Sequence, residues 1–391
     1  MTAITRQDLE QVSAADGGWR VSIYLPTHVA GEQNQQASVR YKNLLRDARQ
    51  RLLARGMAEE DADRLLAAAS RVAEDASFWR TPAKGAAILI DATGVRTWPL
   101  PTQCPEVATA GTTFYIVPLI ATFNVQAAYF LLAVSQKRAR LMRCANDELV
   151  EVAVAGLPET GIESLGYDEP EERSQTHTAS PGLPGKQSLV FHGQGGAADA
   201  AKKELVEYLR RVDRAVAAAM ENDDLPLIFA GVDYLFPIYK EVNTASRLFA
   251  SHLSGSPDYA SSQTLAERAR VLLAEAREGR TDADIDRYWK NASGGKTEKR
   301  AEQIVRDSQA GVVDMLFIDP SLPLWGRFDP LTGDVRVDGE RRLDSDSLIN
   351  TAAVNVVRRG GSVATTATGY VPGGGAMAAI LRFSAEVPAG A

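Results

Sequence analysis

The stretch Val190-Phe191-His192-Gly193-Gln194-Gly195-Gly196, followed at a distance by Leu227-Ile228-Phe229-Ala230-Gly231, decides how this chain is read. Three glycines within four residues allow backbone conformations closed to other residues and let the chain approach a partner closely. The pattern then turns helical. Leu205, Leu209, Val212 and Val216 recur at i, i+4, i+7 and i+11, which places them on one face of a helix reaching about Met220. Asp223-Asp224 ends that run, and residues 227–231 have the length and apolar content of a buried strand. A glycine-rich segment feeding a helix N-terminus offers unpaired N–H groups, which favour an anionic partner. The polar His192 and Gln194 set the segment apart from a spacer, so residues 192–196 form the first candidate site.

Working outward, residues 128–134, 139–144 and 148–154 read as a meander of short strands ahead of a long polar stretch, 156–186. Loops of that length inside a domain are uncommon and usually functional. Residues from Val242 onward return to a helical pattern. Toward the N-terminus, strands are expected at 21–25, 86–90 and 95–98, with helices at 38–55 and 59–74. Toward the C-terminus, helices are expected at 282–290, 297–307 and 344–359, and strands at 312–318, 361–366 and 376–383. Gly360 supplies the stop signal of the last helix. The resulting class is multidomain α/β, divided at 1–125, 126–275 and 276–391. One uncharged segment has the length of a membrane span, but Pro118, Asn124 and Gln126 split it into two candidate buried strands, 114–120 and 127–134.

Composition excludes several classes. With 391 residues, 45% hydrophobic and 24% charged, the chain is neither disordered nor fibrous. Two cysteines do not make a disulfide framework and fit a reducing compartment, and the polar N-terminus lacks the apolar core of a signal peptide. The expected location is cytoplasmic, with no membrane and no DNA partner. A net charge of −7 excludes a globally basic nucleic-acid coat, so any RNA contact must come from local patches. The acidity is concentrated in residues 126–275, where 15 basic face 21 acidic residues.

The scattered histidines (His28, His177, His192, His252) show no zinc spacing, so no metal or cofactor is expected. Ser293-Gly294-Gly295-Lys296-Thr297 ends like a phosphate-cradling loop, but Lys290 stands where that motif requires glycine. No G-x-S-x-G elbow occurs. Basic residues do cluster. Arg40, Lys42, Arg46 and Arg49 lie on the first long helix, the last three on one face, and read either as a solvated face or as a phosphate-contacting ridge. Lys137, Arg138, Arg140 and Arg143 form a second group on adjacent strands.

At the glycine segment the chain resembles the bacterial branch of the archaeo-eukaryotic peptide-chain release factor and Pelota superfamily. The resemblance rests on an order of parts. Strands lead to His192-Gly193-Gln194-Gly195-Gly196, then to a helix bearing Lys202, Lys203, Arg210, Arg211 and Arg214, then to Ile228-Phe229-Ala230-Gly231 and Tyr239-Lys240-Glu241. Further pieces are Val21-Ser22-Ile23-Tyr24-Leu25-Pro26-Thr27-His28 with Arg40-Tyr41-Lys42-Asn43-Leu44-Leu45, and Ala378-Ala379-Ile380-Leu381-Arg382-Phe383. It implies an α/β N-terminal domain, an RNase-H-like central domain and a C-terminal α/β sandwich like that of kink-turn RNA-binding proteins. It also implies a ligand of the ribosomal A site that contacts ribosomal RNA, with peptidyl-tRNA and a translational GTPase as further partners. Residues 192–196 would then enter the peptidyl-transferase centre, and Arg40, Lys42, Arg46, Arg49, Lys202, Lys203 and Arg210 would contact RNA. In the superfamily's release factors a Gly-Gly-Gln loop helps place water against the peptidyl-tRNA ester. This chain reads Gly-Gln-Gly-Gly, and its first region holds no stop-codon-reading motif. The expectation is therefore a factor that rescues stalled ribosomes or protects idle ones. Two alternatives stand beside it: a peptidyl-tRNA hydrolase using Gln194, and a non-ribosomal RNA-binding or scaffold protein.

Overall fold

The computed structural model describes the chain apart from residues 1–3, 5, 15–16, 28–32, 126–127, 136, 146–147, 159–193, 222, 224, 245–246, 367–368 and 385–391. It divides into two compact units, Met1–Gln126 with Ala276–Ala391, and Ala127–Glu275.

The first part of the first unit runs α1 (Arg6–Ala14), β1 (Arg20–Pro26), α2 (Gln33–Ala54), α3 (Glu59–Ser70), α4 (Ala76–Arg80), β2 (Gly85–Asp91), β3 (Gly94–Leu100), β4 (Val107–Gly111) and α5 (Val117–Val125). Its sheet is antiparallel in the order β3-β2-β1-β4, with Ile23 of β1 opposite Ile88 and Ala108. The two-residue period of a strand explains why β1 is buried on both faces. Val21, Ile23 and Leu25 pack with Tyr41, Ala48 and Leu52 of α2, whereas Tyr24 turns the other way, into a core shared with the C-terminal part of the chain.

Residues 114–120, expected as a strand, are instead an extended approach followed by α5. Pro118 falls in the first helical turn, where its missing N–H is no loss. A helix apolar all round is one buried on several sides, and Val117, Leu119 and Ile120 are all buried. The β-branched and aromatic content that suggested a strand reflects this burial.

The second unit holds β5 (Tyr129–Val134), β6 (Ala139–Ala145), β7 (Glu148–Val152), α6 (Gln194–Ala219), β8 (Leu227–Gly231), α7 (Leu235–Val242), β9 (Leu248–Ser254) and the start of α8 (Ser262–Ala292). Strand order is β7-β6-β5-β8-β9: an antiparallel meander, then two strands parallel to β5. Alternation again divides the core. Phe130, Leu132 and Val134 meet α6 and α7, while Tyr129, Leu131 and Ala133 meet Leu265 and Ala269 of α8. The helix expected from Val242 is not there; α7 ends at Val242 and β9 follows. As an edge strand of mixed polarity, Leu-Phe-Ala-Ser-His-Leu-Ser shows no apolar run to reveal it.

The chain returns to the first unit through the rest of α8, then β10 (Thr297–Glu298), α9 (Ala301–Ala310), β11 (Val313–Ile318), β12 (Trp325–Phe328), β13 (Val335–Val337), β14 (Asp346–Ser347), α10 (Leu348–Arg358), β15 (Ser362–Thr365) and β16 (Met377–Leu381). One sheet is ordered β10-β16-β11-β15 and a smaller one β13-β12-β14. The helix expected at 297–307 starts at Ala301, because Thr297 and Glu298 pair with β16. The one expected from Asp344 starts at Leu348, where the Ser347 hydroxyl accepts from the N–H of Asn350 and caps it.

The first and third regions of the sequence share one core, and polar contacts fasten them. Asn350, 5% exposed, accepts from the N–H of Ile116 at 2.7 Å and donates to the carbonyl of Phe114 at 2.9 Å. Arg55 donates to Asp346 at 2.7 Å and to the carbonyl of Asp344 at 2.9 Å. Arg341 lies over the Trp325 ring at 4.3 Å and donates to the carbonyl of Ala108. Replacing Asn350 with Ala strands a buried N–H and a buried C=O together. At about 1–3 kcal/mol for each orphaned group, unfolding in urea should shift by about 2–6 kcal/mol. A loss below about 1 kcal/mol would show that the amide does not hold the two regions together.

Candidate nucleic-acid interface

Helix α6 organises the second unit's candidate site. Leu205, Tyr208, Leu209, Val212 and Val216 are buried against the sheet, as the periodicity requires. The backbone is helical from Gln194 onward, so Gln194, Gly195 and Gly196 make the first turn of α6 rather than a loop ahead of it. His192 and Gly193 lie outside the described residues. At 1.5 Å per residue, Gln194 stands about 16 Å along the axis from Leu205, the first buried residue of the described face. The first N–H groups of any α-helix lack intrahelical partners and carry its partial positive charge. This turn therefore combines hydrogen-bond donors with two residues that have no side chain.

What fixes the helix is Asp213, 2% exposed on an otherwise apolar face. One carboxylate oxygen accepts from the Tyr239 hydroxyl at 3.1 Å and from Asn243 Nδ2 at 2.8 Å; the other accepts from the Thr244 N–H at 2.9 Å and its hydroxyl at 2.6 Å. Burial, reinforced by the nearby Asp213, holds the Tyr239 phenol well above its ordinary range, so it stays a donor. Burial also pushes the Tyr208 hydroxyl up, to about 12. The sequence reading did not single out Asp213. Its signal was an acid four residues after Leu209, on the apolar stripe.

At the carboxyl ends of the parallel strands, His252 Nε2 lies 2.9 Å from Asp233 Oδ1, and its ring stacks on Phe236 at 4.4 Å. The Ser254 hydroxyl, with His252 adding to it, holds the Asp233 carboxyl below the usual range. This pair was also missed, because the two residues are distant in sequence and join only through the β8–β9 register.

The expected RNA-contacting residues fall into two sets, one in each unit. On α2, Arg40 donates to Glu106 at 3.0 Å and to the carbonyl of Pro26 at 3.1 Å. Arg49 bonds Asp63 at 2.6 Å and Glu59 at 3.2 Å. Asp63 first and Glu59 second hold this guanidinium above its ordinary range, and Arg49 lowers Asp63 in turn. Arg46 donates to Asn43 at 3.3 Å, and Lys42 is exposed. Two of these four, Arg40 and Arg49, are thus engaged by acids outside α2. On α6, Lys202 and Lys203 are exposed, and Arg210 has only a loose contact with Glu207 at 3.6 Å. Among the described residues, no cluster of His, Cys, Asp and Glu could hold a metal ion, and no helix is long and apolar enough to cross a membrane.

Residues 129–275 match the family model of bacterial archaeo-eukaryotic release factor family 7. The resemblance read from the sequence holds over this segment, which spans the second unit from β5 onward. No curated protein sequence matches the chain. Among solved structures, the archaeal translation termination factor aRF1 aligns at 13% identity over 96% of each chain, with a TM-score of 0.23. Archaeoglobus fulgidus Pelota aligns at 16% identity over 76% of this chain and 80% of its own, with a TM-score of 0.29. Dom34 of S. cerevisiae, a translation termination-like factor, aligns at 10% identity over 99% of this chain and 96% of its own, with a TM-score of 0.39.

Within the second unit, Asp213→Ala leaves four donors without their acceptor, and hydrogen bonds to a charged group contribute about 1.5–3 kcal/mol each. Even if water recovers most of them, thermal unfolding should show a loss of at least about 2 kcal/mol. Tyr239→Phe, which removes one donor, should cost about 1 kcal/mol. Equal effects from the two substitutions would deny Asp213 its hub role.

Proposed function

We propose that this protein is a translation factor that occupies the ribosomal A site, rescuing stalled ribosomes or protecting idle ones. The observation that carries the proposal is the family-7 match across the whole second unit. Its strand order, an antiparallel meander continued by two parallel strands with helices on both faces, supports an RNase-H-like domain. The mixed sheet of the C-terminal region, with α9 and α10 packed on β11, supports a sandwich like that of kink-turn RNA-binding proteins. On this reading the chain has three functional regions, 1–125, 126–275 and 276–391, and works in the cytoplasm. The α6 cations Lys202, Lys203 and Arg210 contact ribosomal RNA, with Arg40, Lys42, Arg46 and Arg49 in support. The turn at Gln194 is directed to the peptidyl-transferase centre, and a translational GTPase is the natural delivery partner.

The position of Gln194 supports a second reading, peptidyl-tRNA hydrolysis. A helix N-terminus stabilises a developing oxyanion through its unpaired N–H groups, and Gln194 opens such a terminus. The occupancy reading asks nothing of the glutamine side chain; the hydrolytic one depends on it.

Two measurements test these readings. The protein should co-sediment with ribosomes from starved cells at low and moderate salt, and Lys202→Gln with Lys203→Gln should weaken the association most at moderate salt. Absence from the ribosome fraction under both conditions ends the proposal. Release of labelled peptide from stalled ribosomes should collapse in Gln194→Ala if the protein hydrolyses the ester; an unchanged rate removes that side chain from the chemistry.

A further inference from the structure

The end of α8, strand β10 and the chain flanking β16 are joined by short contacts, and three aromatic side chains carried on these segments stand in water. Trp289, Tyr370 and Phe383 are 54%, 68% and 68% exposed. The segments that carry them are tied together. The Tyr288 ring meets Trp289 edge-on at 5.2 Å. Its hydroxyl and the Lys299 stem lie 3.4 and 3.5 Å from where a Cβ on Gly373 would stand. The N–H of Leu381 donates to the carbonyl of Lys296 at 2.9 Å, and the Ser384 hydroxyl, beside Phe383, donates to the carbonyl of Gly294 at 3.3 Å. Gly373, Gly374 and Gly375 all have left-handed φ values, of 78°, 79° and 88°. No atom lies within 4 Å of a Cβ built on either of the last two, so this stretch of backbone is bare.

The charge here runs against that of the chain. Residues 288–300 and 369–384 hold five cations and one acid, in a protein of net charge −7. That acid, Glu298, is turned inward at 9% exposure and is held by the Arg300 guanidinium at 2.7 Å and by the N–H groups of Lys299 and Arg300 at 2.9 Å. Lys290, Lys296 and Lys299 make no ion pair among the described residues. Lysines on a short edge strand also discourage strand-to-strand association. That role gives no reason for three exposed rings among them, since exposed apolar groups promote association.

Flat rings interspersed with unpaired cations and bare backbone match single-stranded nucleic acid, whose bases stack on aromatic faces while its phosphates take the cations. We propose that this face binds a single-stranded RNA segment through Trp289, Tyr370 and Phe383, with Lys296 and Lys299 on the phosphates. The choice of RNA rests on the ribosome-ligand reading; the chemistry of the face does not.

The test is fluorescence anisotropy of the full chain with a labelled, unstructured oligouridine of about 12 nucleotides, within the span such sites cover. Trp289→Ala with Tyr370→Ala should weaken binding at least tenfold, and Lys296→Gln with Lys299→Gln should flatten the salt dependence by about 1.4 in log–log slope. All four positions are outside the core, so melting temperatures should be unchanged. Absence of binding at about 50 mM salt, binding indifferent to both double substitutions, or displacement of the oligouridine only by a folded kink-turn RNA would each overturn the inference. Ribosome co-sedimentation of the same variants separates the two readings. Ribosome association without oligouridine binding defeats this face alone, and oligouridine binding without ribosome association defeats the functional proposal alone.

Discussion

The buried carboxylate of Asp213 is the constraint on which the second unit depends. It is the one acid buried to this degree among the described residues of that unit, and both of its oxygens are doubly engaged. A buried charge is tolerated only when its hydrogen-bonding capacity is filled. Filling it here requires α6, the last turn of α7 and Asn243-Thr244 to keep one mutual placement. The hydrophobic face of α6 sets its distance from the sheet but leaves sliding and rotation poorly determined, because apolar contacts are non-directional. The carboxylate removes that freedom. Since a helix is stiff along its axis, the position of Gln194 follows from a hydrogen-bond cluster nineteen residues away in sequence.

Some cations of this acidic protein are taken up by acids and others are not. On α2, arginines that look from sequence like an RNA-facing ridge are taken up by Glu106, Asp63 and Glu59. Exposed ion pairs of this kind contribute little to stability, but they remove those cations from competition for a polyanion. Lys42 and Arg46 of α2, Lys202 and Lys203 of α6, and the lysines along the edge of the C-terminal sheet have no acid partner among the described residues. With a net charge of −7, long-range attraction to a polyanion in general is weak.

How much of this was legible in the sequence depends on what each segment packs against. Strands β1, β2, β5, β8 and β11 were readable because burial on both faces leaves compact apolar runs. Strand β9 was not, since an edge strand keeps polar residues among its apolar ones. Helix α5 was mistaken for a strand because a helix buried on all sides has no amphipathic period. The sequence separated regions 1–125 and 276–391, and nothing local announces that Asn350 reaches the backbone of Phe114 and Ile116. Asp213 was legible in principle, as an acid out of place on an apolar stripe, but its four partners come from chain 26 to 31 residues away.

The glycine segment shows most clearly how local physics reshapes a functional reading. Ala197-Ala198-Asp199-Ala200-Ala201 follows it, and alanine has the highest helix propensity. That run carries the helix back through Gly196 and Gly195 to Gln194, although each glycine costs about 1 kcal/mol relative to alanine in a helix interior. Near an N-terminus the penalty is smaller, because the first turn has few hydrogen bonds to weaken. Two glycines directly behind the first residue nevertheless leave that flank of the turn without side chains. A helix selected for stability alone would fill those positions with alanine, as it does from Ala197 onward. They stand in a first helical turn, where N–H groups lack intrahelical partners. The backbone of Gln194, Gly195 and Gly196 is therefore that of a helix start, held there by the alanine run behind it.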